Sequence, residues 1–147
     1  MRITFFEIED WEKQYFQSVL TGSSLSFYET PLTKEVIDSI NDTEMLSTFI
    51  YSRLSSEILV QLPKLKLITT RSTGFDHIDI EYCKKAGIAV CNVPTYGVNT
   101  VAEHTFALIL ALSRKIIPSI ERTRRGDFSL ERLRGFELAG KTLGIVG

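Results

Sequence analysis

Residues 65–91 read Leu65-Lys66-Leu67-Ile68-Thr69-Thr70-Arg71-Ser72-Thr73-Gly74-Phe75-Asp76-His77-Ile78-Asp79-Ile80-Glu81-Tyr82-Cys83-Lys84-Lys85-Ala86-Gly87-Ile88-Ala89-Val90-Cys91. Leu65 to Thr70 is short, apolar and β-branched, the signature of a strand. Arg71 to Ile78 is rich in turn formers. Asp79 to Ala86 is helical and stops at Gly87, which suits the left-handed residue that follows many helices. Ile88 to Cys91 is strand again. A strand, a helix and a strand in close succession make a right-handed crossover and a parallel pair.

The same alternation extends upstream. Ile3 to Phe6, Leu25 to Tyr28 and Met45 to Tyr51 read as strands. Trp11, Tyr15, Phe16, Val19 and Leu20 recur at helical spacing. Thr33 starts a short helix over Lys34 to Ile37, and Ser55 opens another that runs toward Pro63. Five strands separated by helices predict a doubly wound parallel α/β sheet. Right-handed crossovers favour the flavodoxin-like order 2-1-3-4-5. Ligands in such sheets bind beyond the carboxyl ends of the strands.

Composition narrows the classes further. The chain has 147 residues, 44% hydrophobic and 24% charged, which excludes disordered and low-complexity chains. Its formal charge is −1, so no global field draws in nucleic acid or an anionic membrane. The run Phe106 to Leu112 is too short to span a bilayer. Cys83 and Cys91 have neither redox-pair nor disulfide-framework spacing and read as buried free thiols. The N-terminus turns acidic too early for a signal peptide. Together these features predict a cytoplasmic protein.

Beyond residue 98 the pattern changes. Thr100-Val101-Ala102-Glu103 has the spacing of a capping box. The helix that follows is apolar almost all round to Leu112, so it requires cover from a second domain or subunit. His104 reads as a packed polar residue, and Pro118 should interrupt the helix. Arg114 to Arg125 holds five basic residues and one acid, which suits a solvated helix end. Thr142 to Val146 is a buried strand that runs into Gly147.

The segments after the strands are where chemistry belongs. Glu7, Glu9 and Asp10 follow strand one, and three carboxylates there would repel a flavin phosphate. A phosphoacceptor receiver would need an Asp ending strand three and a Lys ending strand five; Tyr51-Ser52 and Asn92-Val93-Pro94 stand there instead. Ser72-Thr73-Gly74 is either a backbone nest for a small carboxylate, with Gly74 at positive φ, or a tight turn into a helix capped by Asp79. Tyr96 either points its hydroxyl into a cleft or packs in the crossing between Val93 and Asn99. His77 reads as a surface or capping residue.

Taken in order, these segments resemble the NAD-dependent D-isomer-specific 2-hydroxyacid dehydrogenases, nearest the D-lactate dehydrogenase branch. The resemblance is carried by Leu65–Ile68, Arg71–Asp79, Ala86–Val90, Val93–Tyr96, Val101–Thr105 and Gly135–Gly147. It implies a substrate-binding domain over residues 1–98 and the start of a coenzyme domain over 99–147. It implies that the amides of Thr73 and Gly74 hold the substrate carboxylate and that Tyr51 and Tyr96 line the pocket. It also implies that Thr100, Val101 and Gly147 lie toward NAD. Only the first glycine of the dinucleotide fingerprint is matched, and the family's catalytic arginine, carboxylate and histidine have no counterparts here. His77 and His104 do not match that histidine, so no residue is assigned a catalytic role and no metal ligand is expected. The expected partner is a small 2-oxo or 2-hydroxy acid. The expected entity is the truncated, inactive substrate half of such an enzyme, with no NAD bound to it. The alternative is a self-associating structural module, a homodimer through residues 99–147 formed by exchange of the terminal segment.

Overall fold

The computed structural model describes residues 1–146. They fold into two compact units, Met1–Tyr96 and the residues from Gly97 onward. The first unit runs β1 (Arg2–Phe6), α1 (Asp10–Val19), β2 (Ser24–Tyr28), a 3-10 helix (Lys34–Ile40), β3 (Met45–Thr48), α2 (Ser56–Leu59), β4 (Leu67–Thr70), α3 (Ile80–Ala86) and β5 (Ala89–Cys91). All four strand pairings are parallel, in the order β2-β1-β3-β4-β5. The α/β, flavodoxin-like expectation is met.

Alternation along β1 shows why the sheet is covered on both faces. Ile3 and Phe5 point to one side, where Phe16, Leu20, Leu25 and Phe27 pack on them. Phe6 points to the other, into a larger core with Ile37, Ile40, Leu46, Leu54, Leu59 and Ile68. Successive strand residues face opposite ways, so a strand buried on both sides must be apolar nearly throughout. Only part of the expected α1 face is inward: Trp11, Tyr15 and Val19 are exposed. Cys83 is buried as expected, but Cys91 is exposed, because β5 is a three-residue edge strand.

Local signals set the crossover from β4 to β5. The Asp79 carboxylate accepts from the Tyr82 amide at 2.9 Å and caps α3. Gly87 ends the helix at φ 71°, a conformation that costs glycine little.

The second unit contains α4 (Val98–Ser113) and α5 (Ile116–Arg124). Pro118 lies in the first turn of α5, and the break falls at Arg114 and Lys115, the latter at φ 56°. The predicted capping box is absent. The Val101 amide donates to the Gly97 carbonyl at 2.9 Å, so Gly97 is the cap and Thr100 lies inside the first turn. His104 is exposed rather than packed. Gly135 is fixed by close approach: a Cβ there would sit 2.0 Å from the Ser113 carbonyl oxygen, and the next amide, that of Phe136, donates to that oxygen at 3.0 Å.

The expected strand at 142–146 does not form. A strand exists only through hydrogen bonds to a neighbour, and these residues pair with none among the described residues. Gly147 lies outside the described residues. No helix among the described residues is long and apolar enough to cross a membrane.

Candidate functional site

Parallel strands put all their carboxyl ends on one edge. Four segments meet there: Glu7 to Glu9 after β1, Phe49 to Leu54 after β3, Arg71 to Asp79 after β4, and Asn92 to Tyr96 after β5. The β3 and β4 segments are tied to each other. The Leu54 amide donates to the His77 carbonyl at 2.8 Å, and the Asp79 amide donates to the Leu54 carbonyl at 2.9 Å.

Between these two segments lies an open cleft of about 550 Å³, lined by Ile50, Tyr51, Arg53, Gly74, Asp76 and His77. Two of the predicted site residues, Tyr51 and Gly74, therefore share one cavity. Thr73 adjoins Gly74 in the chain. Its side chain is turned away and donates to the Val93 carbonyl at 3.1 Å, while the Asn92 side-chain amide donates to the Thr73 carbonyl at 2.8 Å. The backbone amides of Thr73 and Gly74 donate to no acceptor among the described residues. Free amides in succession are strong donors to a carboxylate. Tyr96 is exposed on the segment between β5 and α4.

The expectation of positive φ at Gly74 is not met; the left-handed glycines among the described residues are Gly22, Gly87, Gly126 and Gly140. The turn is held instead by side chains. The Thr70 hydroxyl bonds the Ser72 hydroxyl and donates to the Phe49 carbonyl at 2.9 Å, and Ser72 donates to the Gly74 carbonyl at 2.7 Å. Space does not call for glycine at 74 either: a Cβ there would meet only Asp76 Oδ2, at 3.9 Å. The residue itself lines the cleft.

His77 Nε2 lies 3.2 Å from the Thr70 hydroxyl, and the imidazole is half-buried beneath the cleft. Burial lowers its pKa from the ordinary histidine value, partly offset by the negative charges of Glu7 and Asp76. Burial also raises the pKa of the Cys83 thiol, reinforced by Asp79. No group of three His, Cys, Asp or Glu side chains suited to a metal ion occurs among the described residues.

Sequence reasoning did not find the frame beneath the cleft. The Arg71 guanidinium donates to Glu12 Oε1 at 3.0 Å, to the Ser47 hydroxyl at 3.0 Å, to the Phe6 carbonyl at 2.9 Å and to the Glu7 carbonyl at 2.6 Å. Arg71 and Glu12 are 15% and 16% exposed. Glu7 has φ 56°, rare for a side chain of its size. Its carboxylate accepts from the amides of Phe49 and Tyr51 at 2.9 and 3.2 Å and from the Ser52 hydroxyl at 2.6 Å. Of the acids after β1, Glu7 thus ties the sheet edge together rather than merely repelling anions.

Thr100 and Val101 are exposed on α4, in the second unit. Gly147, the third residue assigned to the cofactor, lies outside the described residues.

The comparisons with known proteins agree with this architecture. A model of the D-isomer specific 2-hydroxyacid dehydrogenase catalytic domain matches residues 3–138. D-lactate dehydrogenase of Escherichia coli (strain K12) is 34% identical over 151 residues, a match that covers 100% of this chain and 46% of that protein. Glyoxylate reductase of Pyrococcus furiosus is 31% identical over 149 residues, with 97% and 40% covered. The crystal structure of D-lactate dehydrogenase from Aquifex aeolicus complexed with NAD and lactic acid superposes with a TM-score of 0.88 at 39% identity. That match covers 92% of this chain and 41% of that one. The chain thus spans less than half the length of these relatives. The family model, the sheet order and the relatives concur: the chain belongs to the D-isomer-specific 2-hydroxyacid dehydrogenase family.

Proposed function

We propose that this chain is the substrate-binding part of an NAD-dependent D-2-hydroxyacid dehydrogenase that interconverts a small 2-oxo acid and its D-2-hydroxy acid, with pyruvate and D-lactate as the leading pair. The observation that carries the reading is the pair of free amides at Thr73 and Gly74, the latter opening on the cleft beside Tyr51. The amides hold the substrate carboxylate, and the charge-assisted bonds fix its orientation. Tyr51 and Tyr96 face the substrate's side chain and set the room available to it. Arg53 at the cleft wall supplies a positive charge to an anion, opposite the Asp76 carboxylate on the same lining.

NAD supplies hydride transfer when bound. Thr100 and Val101, exposed near the start of α4, suit its nicotinamide end. The described residues include no glycine-rich phosphate cradle, so they account for one end of the cofactor only. The alternative, a self-associating module that forms a homodimer through residues 99–147, draws on the exposed Phe106, Leu108, Leu110 and Leu112 of α4. A monomer mass by light scattering at high concentration would remove it. The free thiols of Cys83 and Cys91 are compatible with a cytoplasmic location.

The test is an NMR titration of the ¹⁵N-labelled chain with oxamate, an isostere of pyruvate, and with uncharged acetamide as control. Saturable shifts of the Thr73 and Gly74 amides with oxamate alone support the reading. Equal responses to both compounds, or none, refute it.

A further inference from the structure

We infer that Glu7 is a positioning residue for substrate binding: its carboxylate holds the Phe49–Ser52 segment, and so Tyr51, in register with the carboxylate-binding turn at Thr73 and Gly74. The inference rests on the reading of that turn given above.

One carboxylate takes three donors from a single short segment: the amides of Phe49 and Tyr51 and the hydroxyl of Ser52. No strand bond does this work, because β3 ends at Thr48. The Phe49 carbonyl instead accepts from Thr70, which leads into the turn that carries Thr73 and Gly74. Charged acceptors make the stronger hydrogen bonds, and a loop held by several of them loses the freedom it would otherwise spend on binding.

The backbone of Glu7 is itself held in an unusual state. Its φ is 56°, in the left-handed region, while its carboxylate reaches the segment after β3. Strained conformations of this kind persist only where surrounding contacts fix them. Here Arg71 donates to the carbonyls of both Phe6 and Glu7, and the Glu7 amide donates to the Thr30 carbonyl at 3.3 Å. Arg71 immediately precedes Ser72, so the residue that pins Glu7 also begins the turn. The two walls of the cleft are thereby referenced to one another through a pair of side chains that do not line it.

The experiment compares the wild-type chain with E7A, E7G and E7Q. Glycine relieves the backbone strain while removing the anchor; glutamine keeps the reach and most of the hydrogen bonding. Amide hydrogen exchange is followed at Phe49 and Tyr51, with Leu46 and Ile68 in the sheet as controls, alongside oxamate titration. Expected are exchange about tenfold faster or more at Phe49 and Tyr51 in E7A and E7G, and oxamate affinity weakened about fivefold, with partial rescue of both by E7Q. The Thr73 and Gly74 shifts should keep their direction, since the turn itself is intact. Unchanged exchange or unchanged affinity in E7A and E7G overturns the assignment. Equal loss of protection at Leu46 and Ile68 in all three variants also overturns it, by making Glu7 a general fold residue. Failure of the wild-type chain to respond to oxamate removes the carboxylate site itself, and is recognised because it precedes any substitution.

Discussion

Two helices of this chain both carry apolar residues and meet different fates. In α3, within the first unit, Cys83 is buried, with Ile80 and Tyr82 half-buried against the main core. In α4, within the second, Phe106, Leu108, Leu110 and Leu112 are all exposed. The difference lies in what surrounds them. A sheet with two apolar faces gives each covering helix a surface to bury, whereas apolar residues spread around a helix cannot all be satisfied by one neighbour. Hydrophobicity of a segment therefore predicts that it needs cover, and says nothing about where the cover comes from.

The sharpest way to break this contrast is truncation in each region. Leu46→Ala, at a fully buried position of β3, should cost about 3 kcal/mol by urea unfolding. Leu112→Ala, at a site 75% exposed, should change stability by no more than about 0.5 kcal/mol. Equal losses would mean that α4 is buried in solution and the contrast is false.

Arg71→Ala comes next. It removes four hydrogen bonds and leaves Glu12 without its partner. A fully buried pair broken in this way costs about 3–5 kcal/mol. Slight exposure of both groups lowers the expectation to about 2 kcal/mol. A loss below about 0.5 kcal/mol would show that the guanidinium network adds nothing to the sheet edge.

The fold was legible because its signals are local. The apolar runs of β1, β3 and β4, the Asp79 cap and the Gly87 stop each depend on neighbours a few residues away, and all were readable. Where a local signal had a competitor, it misled. Thr100-Val101-Ala102-Glu103 has capping-box spacing, yet the helix continues back to Val98 because the Gly97 carbonyl accepts from Val101. Thr142 to Val146 has strand composition but pairs with no strand among the described residues. The frame of the site was illegible for a different reason. Glu7 meets Tyr51 across 44 positions and Arg71 meets Glu7 across 64, and nothing in the local spelling marks such pairings. The placement of Tyr51 and Gly74 at one cleft was reachable only through the family resemblance and the rule that sites lie beyond parallel strand ends.

Two glycines sharpen the picture at smaller scale. Gly87 occupies the left-handed region, so Gly87→Ala should cost about 1 kcal/mol although nothing would touch the new methyl group. Gly74 does not occupy it, and a methyl there has ordinary space. Gly74→Ala should therefore leave stability within about 0.5 kcal/mol while weakening the oxamate response, because the methyl narrows access to the amide. A stability loss at Gly74 as large as that at Gly87 would restore the positive-φ nest.

The smallest effect is a slope in pH, and its sign follows from His77. Burial depresses the folded-state pKa of this imidazole below its unfolded value of about 6.5. Between the two values the unfolded chain carries the extra proton. Stability must then rise with pH across that window and level off above about pH 6.5. Trp11, the single tryptophan, sits on α1 and reports on the first unit alone. Followed by its fluorescence, His77→Gln should flatten the stability profile in this window and leave the neutral plateau nearly level with that of the wild type. The neighbouring charges of Glu7 and Asp76 oppose the burial effect, so Asp76→Asn should steepen the same slope. A steeper profile in His77→Gln would mean that attraction to those carboxylates outweighs burial and that the imidazole beneath the cleft is held in its charged form, and a shallower one in Asp76→Asn would mean that the Asp76 charge does not act on the imidazole.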